Sequence, residues 1–417
     1  MKVLIPFSYY YPETCAGIFV VDDLMHCLAA EGHECVLYVP TPTRAVKADV
    51  PWSRDEYLCE GRIHIHRFRM YGEGKNPVLR ALRYVFCECY YLHRMLWDRY
   101  DVAFIDSTPP IQGLKLPIVR LLRRKPVVYN AQDLFPETLS GTGLANQGGL
   151  LWKIGSLVAR ITFRNADKII AISNDIKRNI MAKGVPQEKI EVIYNWVDEN
   201  AVVPVAKGEN PLFEEFGISR ERFTVVYAGN LGNAQNIGII MDAARALKGN
   251  EGIQFVIFGK GGLEDEIKQA REREHLENLM ILPLQPFERV SQVYGLGDVC
   301  IVACKPGLGG AAMPSKTWSI MSSGRAVLAN FDEGELKSII ENNGCGVFTK
   351  AGDLDGFVDA ISSLASNPGK CQEMGRNGRE FILRNLTKEV GTSKYVEVIR
   401  NVNVNVNLNL NEKNDGM

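Results

Sequence analysis

Lys316 stands at the start of an expected helix, directly after a glycine-rich loop, in the stretch CKPGLGGAAMPSKTWSIMSSGRAVLA (304–329). Gly307, Gly309 and Gly310 let a backbone approach a bound group closely. The helix start near Pro314 or Ser315 turns N–H groups toward an anion. A lysine in a first helical turn is disfavoured by the helix dipole, so it makes more sense there if it neutralises a bound phosphate. A lysine that simply points to solvent fits the pattern equally.

A second strand-to-helix turn, NLGNAQNIGI (230–239), follows the apolar run FTVVYAG (223–229) and leads into MDAARALKG. Free N–H groups at such a turn attract anions. Yet this one holds no Lys or Arg, only Asn230, Asn233, Gln235 and Asn236, and Asn233 serves equally well as a turn former. FGKGGLEDEI (258–267) offers Gly259, Gly261 and Gly262 around Lys260 after another strand. That loop can lie flat against a nucleobase, with the backbone of PLQPFERV (283–290) pairing to the base edge. Ordinary turns explain both loops as well. In the first half, AQDLFPET (131–138) sets Gln132, Asp133 and Glu137 after a strand. An N-cap for the following helix is an equal reading of Asp133.

The elements that must position these residues alternate. VLIPF (3–7), ECVLYVP (34–40), RIHIHRF (62–68), DVAFIDS (101–107), PVVYNAQD (126–133), KIIAISN (168–174) and IEVIYNWVD (190–198) read as strands, with helices over 19–32 and 78–99. A looser stretch, 199–211, reads as a linker. The pattern then restarts with FTVVYAG, IQFVIFG (253–259), NLMILPL (278–284), VCIVAC (299–304), AVLANF (326–331) and GCGVFTK (344–350). Apolar strands alternating with helices predict parallel sheets covered on both faces. The expected organisation is α/β: two Rossmann-like doubly wound domains facing across a cleft. They span 1–198 and 212–385, followed by a final helix over 386–400. The tail 401–417 alternates Asn with Val or Leu; it is expected to be mobile, without an assigned role.

Bulk properties narrow the function. A net charge of −1 gives no general case for nucleic acid, although the first half is slightly basic and the second slightly acidic. Ten cysteines without a C-x-x-C suggest a reducing compartment. Cys87, Cys89, His64 and His66 do not have finger spacing, and alternating strand positions with buried thiols explain them better than zinc. The opening MKVLIPFSYYYPE does not have the pattern of a signal peptide, and no run of 18 apolar residues occurs.

PSKTWSIMSSGRAV resembles the nucleotide-binding segment of the family-four glycosyltransferases, which have the GT-B fold. More narrowly, it looks like the branch that builds bacterial capsule, O-antigen and colanic-acid repeat units. YYPETCAG, AQDLFPET, AISNDIKRNI with IYNWVD, and FGKGG fall in the family's order, so the resemblance covers roughly 1–395. It implies transfer of a sugar from a nucleotide diphosphate, with retention at the anomeric carbon and neither metal nor cofactor. The first domain holds the acceptor and the second the donor. UDP is the expected nucleotide, and an N-acetylated or 6-deoxy hexosamine the expected sugar.

The resemblance also assigns residues. Gly17, in the turn before the first helix near Ala16, faces the donor phosphates. Gly229, Asn230, Gly259, Lys260, Gly261, Gly309, Gly310, Ser315, Lys316 and Ser319 form the donor site. Asp133, Glu137 and Lys316 lie at the reacting centre, Asp133 either orienting groups or acting as base. Two departures matter. Asn230 takes the place of a phosphate-gripping Arg, and Gln235 or Asn236 that of a Lys, which leaves Lys316 as the leading cation. Lys260 and Arg325 are weaker substitutes, with the N–H groups of 230–232 and 309–315 as neutral donors. Ser319 aligns with a ribose-binding Glu, and the partner Glu aligns near Ala311; a hydroxyl binds ribose more weakly than a carboxylate.

Residues 78–99 and 114–125 mix aromatic, aliphatic and basic side chains, a composition suited to a membrane interface. A helix packed on the sheet with a basic outer face fits as well. Because the branch often uses polyprenyl-diphosphate sugars as acceptors, a peripheral position on the cytoplasmic membrane face is expected, without nucleic-acid partners. Two alternatives remain at this stage. One is a non-catalytic, transferase-like partner subunit, motivated by the missing charges. The other is a UDP-sugar 2-epimerase, which would need carboxylates and His at the site loops. A dehydrogenase is disfavoured because no G-x-G-x-x-G follows the first strand.

Overall fold

Strands and helices alternate as expected in the computed structural model, which describes all residues except 14, 16, 44–50, 73–75, 139–145, 147, 312 and 416–417. Of 77, 311 and 405–415 it describes the backbone alone. The expected helix start near Ala16 therefore lies partly outside the described residues.

In the first unit, β1 (Lys2–Pro6), β2 (Glu34–Pro40), β3 (Asp55–Leu58), β4 (Ile63–Phe68), β5 (Val102–Asp106), β6 (Val127–Ala131), β7 (Lys168–Ala171) and β8 (Ile190–Val192) form one sheet, in the order β3-β4-β2-β1-β5-β6-β7-β8. Its pairs are parallel except β3 with β4. β2 is buried from Cys35 onward, as a strand covered on both faces must be. β4 alternates, with Ile63 and Ile65 buried and His64 and His66 half-buried. β3 was not expected: four mostly exposed residues, Asp-Glu-Tyr-Leu, carry no apolar period, and only pairing with β4 makes them a strand.

The long aromatic helix runs Pro77–Trp97; Asn76 caps it by accepting from the Val78 N–H at 2.9 Å, with Pro77 in the first turn. The helix expected over 114–125 runs Leu116–Arg123 and is preceded by a 3₁₀ turn, Pro110–Lys115. Gly113 is required in that turn. A Cβ there would lie 1.7 Å from Oγ1 of Thr162, on the adjacent helix Leu150–Asn165.

The second unit carries β9 (Phe223–Asn230), β10 (Ile253–Lys260), β11 (Leu279–Pro283), β12 (Val299–Ala303), β13 (Ala326–Phe331) and β14 (Gly346–Lys350), all parallel, in the order β11-β10-β9-β12-β13-β14. Its core includes Tyr227, Phe255, Ile257 and Phe357, each fully buried.

Contacts divide the chain into Met1–Tyr194 with Gly391–Met417, and Asn195–Val390. The divisions thus fall at 194 and 390, not at 198 and 385. The strand read as 190–198 ends at Val192. The stretch 199–211 is not a loose linker. Arg379 donates to the carbonyls of Glu199 at 2.9 Å, Val202 at 3.0 Å and Ser322 at 2.9 Å, which fixes it to the second unit. A polar, Pro-containing composition hides such long-range backbone satisfaction.

The final helix runs Lys388–Asp415 and continues through the Asn-alternating tail. A period of two argued against helix there, but extending a formed helix costs far less than starting one. Tyr395 of this helix is fully buried in the first unit.

Candidate functional site

Open α/β sheets bind ligands beyond the carboxyl ends of their strands, where the strand order reverses. In the second unit β9 pairs with β10 on one side and β12 on the other, so the reversal lies at β9 and β12. The loops after these two strands meet: the Lys305 N–H donates to the Ala234 carbonyl at 2.9 Å.

Lys316 sits at this point, the first residue of the helix Lys316–Ser322. Its Nζ donates to the Tyr227 hydroxyl at 3.0 Å and lies 4.2 Å from the centre of that ring. The same hydroxyl donates to the Asn230 carbonyl at 2.8 Å. A Cβ on Gly229 would lie 3.1 Å from Nζ, so the ammonium rests against bare backbone at the end of β9. Gly229 has φ +140° there, a conformation that favours glycine. Part of the Lys316 side chain stays accessible, while its ammonium end is enclosed by protein, which lowers its pKa to about 8. Lys316 therefore does not point freely to solvent. Ser319 is three residues on, on the same helical face, and half-buried. Ser315 is exposed and precedes the helix without a side-chain cap bond.

Several expected donors are committed elsewhere. The Gly309 N–H donates to Asp332 Oδ2 at 2.8 Å and the Gly307 N–H to Oδ1 at 3.0 Å, so the glycine loop is clamped by a carboxylate. A Cβ on Gly309 would also meet the Phe331 ring at 2.7 Å, whereas one on Gly310 would meet nothing within 4 Å. The Leu231 N–H is taken by the Lys260 carbonyl at 3.0 Å. Gly259 and Gly261 have a packing reason: a Cβ on either would lie within 2.6 Å of Leu231 atoms. Lys260 is exposed beside Asn230 in the β9–β10 register. Arg325 donates to the carbonyls of Val205 and Gly295, a structural role that removes it from the anion site.

In the first unit β1 pairs with both β2 and β5, so the reversal lies at β1 and β5. Gly17 precedes the helix Ile18–Ala30 with φ +92°, and a Cβ there would meet nothing within 4 Å. Beyond β5 and β6 lies a polar cluster. Asp106 Oδ1 accepts from Asn130 Nδ2 at 3.0 Å, and Asn130 Oδ1 accepts from the Tyr395 hydroxyl at 3.0 Å and from Gln132 at 3.1 Å. Burial pushes the Asp106 carboxyl up to about 7, with the nearby Asp133 charge adding to the rise and the Thr108 N–H opposing it. The Asp133 N–H donates to Ser107 Oγ at 3.2 Å, and burial raises its carboxyl too. Asp133 is not the N-cap of the turn that follows. That turn opens with the Thr138 N–H donating to the Leu134 carbonyl. Glu137 is engaged by Lys183, with its oxygens 2.8 and 2.9 Å from Nζ. Its negative charge is compensated within the fold by this ion pair.

Residues 19–201 match the family model described as Glycosyltransferase Family 4, and residues 209–381 that described as Glycosyl transferases group 1. The chain belongs to the family-four glycosyltransferases. Among relatives, it is 25% identical over 412 residues to a putative colanic acid biosynthesis glycosyl transferase, WcaI, of Escherichia coli, covering 96% of this chain and 100% of that one. It is 24% identical to a probable glycosyltransferase, WbjE, of Pseudomonas aeruginosa, covering 72% of this chain and 75% of the relative. Its fold matches Anabaena HepE, solved in complex with UDP, at TM-score 0.72 and 17% identity, over 96% of this chain and 100% of that one. Both halves of this glycosyltransferase thus have the Rossmann-like architecture of GT-B enzymes.

Two contributors to the glycosyltransferase's site escape sequence reasoning. Tyr227 lies inside an apolar strand and reads as core; its only signal is its place two residues before Gly229. Asp332 follows β13, far in sequence from the loop it clamps.

Proposed function

We propose that this glycosyltransferase moves a sugar, with retention and without a catalytic metal, from a UDP-sugar to a lipid-linked saccharide during bacterial surface polysaccharide synthesis. Lys316 carries this reading. It is a cation with a lowered pKa, fixed at the strand-order reversal of the second unit, and it regains favourable charge when a diphosphate arrives. Ser319, one turn on, is placed to bond a ribose hydroxyl. UDP is favoured because HepE, which shares the fold, was solved with it. The sugar, on the family resemblance, is an N-acetylated or 6-deoxy hexosamine, and relatives named for colanic acid and capsular polysaccharide support the polysaccharide setting. The first unit takes the acceptor, with Asp133 beside the reacting hydroxyl and Gly17 offering unobstructed backbone. The test incubates the protein with UDP-hexosamines, a bacterial lipid extract and EDTA, following UDP release and the anomeric configuration of the product by NMR. Lipid-dependent release with retained configuration is expected. Inversion, or release only on adding a divalent metal, would refute it.

The acceptor reading extends to membrane contact. No described helix is long and apolar enough to cross a membrane. Three helices of the first unit, Pro77–Trp97, Leu116–Arg123 and Leu150–Asn165, nevertheless expose large apolar side chains, among them Leu82, Phe86, Leu121 and Leu157. Arg120, Arg124 and Lys153 are exposed on or beside the same elements. Apolar insertion with flanking cations suits an anionic membrane surface, each cation contributing about 1 kcal/mol. The double variant Leu121→Asp, Leu122→Asp is expected to cut sedimentation with phosphatidylglycerol vesicles at least several-fold. Equal sedimentation of variant and wild type would contradict it.

A further inference from the structure

The edge of the first unit's sheet holds a side-chain cluster that the transfer reaction does not use. His64 and His66 alternate on β4 and so share one face; Asp55 lies directly opposite His66 in the antiparallel register with β3. Asp55 Oδ1 is 2.9 Å from His64 Nε2 and 2.6 Å from His66 Nδ1. One ligand atom from each residue falls within 4.8 Å of the others. Cys87 and Cys89 lie elsewhere, buried and exposed respectively on the helix Pro77–Trp97.

We propose that Asp55, His64 and His66 form a binding site for a divalent transition-metal ion, zinc being the natural occupant. Two imidazoles and one carboxylate converging on a point favour zinc, nickel or cobalt over magnesium or calcium, which prefer all-oxygen sets. The rings are held in place. Tyr57 stacks on His64 at 4.5 Å with an interplanar angle of 7°, and Tyr38 meets His66 edge-on at 5.7 Å. The Asp55, His64 and His66 side chains keep 40%, 30% and 18% of their surface accessible, which leaves room for water to complete the coordination. A bound ion would staple the short, exposed strand β3 to β4, an edge that has little apolar burial to hold it.

Zinc titration of the EDTA-stripped, desalted full chain tests the site by calorimetry and thermal melting. Wild type is expected to bind one ion in the micromolar range and to melt higher with zinc. Asp55→Asn, His64→Ala and His66→Ala should each weaken binding by about tenfold or more and lose the zinc-dependent rise in Tm. Their melting without zinc confirms folding. The nearby pair Cys59 and His26, 3.3 Å apart, is the control, and Cys59→Ser should leave zinc binding unchanged. Cobalt gives a second readout, a visible absorption band present in wild type and absent in His66→Ala. No zinc binding by wild type, binding unaltered in all three ligand variants, or loss in Cys59→Ser would each overturn the site.

Discussion

Lys316→Ala is expected to weaken UDP binding by about 1.5–3 kcal/mol, roughly 10- to 150-fold in Kd. The variant should fold, because the substitution removes a buried cation along with its desolvation cost. The direction of the pKa shift adds a signature that a merely structural lysine would lack. With a folded pKa near 8 against an ordinary 10.5, the empty protein bears the desolvation cost in full below pH 8. That cost fades between pH 8 and 10.5, so stability from this group rises over that window. A diphosphate favours the charged form. At pH 8, where the phosphates of UDP are already ionised, nucleotide binding is therefore expected to take up about half a proton on Lys316. Donor affinity should also fall as pH climbs past 8. Calorimetry in two buffers of different ionisation enthalpy reads the uptake. Tyr227→Phe keeps the ring under the ammonium and removes two hydrogen bonds, the one accepted from Lys316 and the one donated to the Asn230 carbonyl, while the cation stays, so its effect on UDP binding should be smaller, about 0.5–1.5 kcal/mol. Unaltered UDP affinity in Lys316→Ala would remove this residue from the phosphate site.

Trp318→Ala should produce the largest loss of stability. Trp318 is 1% exposed and stacks on Phe381 at 6.4 Å, joining the helix that carries Lys316 and Ser319 to the helix Pro368–Asn385. Deleting a buried aromatic of this size costs about 3–5 kcal/mol. In a unit of this length each kcal/mol lowers Tm by about 2–4 °C. Trp318→Phe should recover much of that loss, since the ring stack survives. Because the helix also carries Lys316 and Ser319, the residues proposed to bind the donor, UDP affinity should drop in the alanine variant at temperatures where it remains folded. A melting point within experimental scatter of wild type would show that this anchor is dispensable.

Legibility in the sequence followed burial. Strands covered on both faces, such as ECVLYVP and AVLANF, have their observed bounds written in their apolar runs. β3 was invisible because an exposed four-residue strand leaves no such run. The final helix was read too short because Asn alternation mimics a strand, while helix propagation from 388 overrides it. That Lys316 is engaged by the fold was legible because a lysine in a first helical turn is locally unfavourable and so needs a reason. The glycines were legible as close-approach positions, but not what approaches them. Leu231 accounts for Gly259 and Gly261, and Asp332 with Phe331 for Gly309. No local pattern reveals that Glu137 meets Lys183, 46 residues away. Asp106 and its bonds through Asn130 to Tyr395 join residues up to 265 apart, a pairing that only the folded chain shows.

The central claim is that the second unit holds a nucleoside diphosphate without a metal ion. Isothermal calorimetry of the purified chain against UDP, GDP, ADP and TDP, at pH 8 with EDTA present, tests it most directly. Micromolar binding of UDP, stronger than the other three and accompanied by proton uptake, is the predicted result. Absence of binding to all four would contradict the donor site, and would mean that Lys316 does not make up for the uncharged residues at Asn230 and at Gln235 or Asn236.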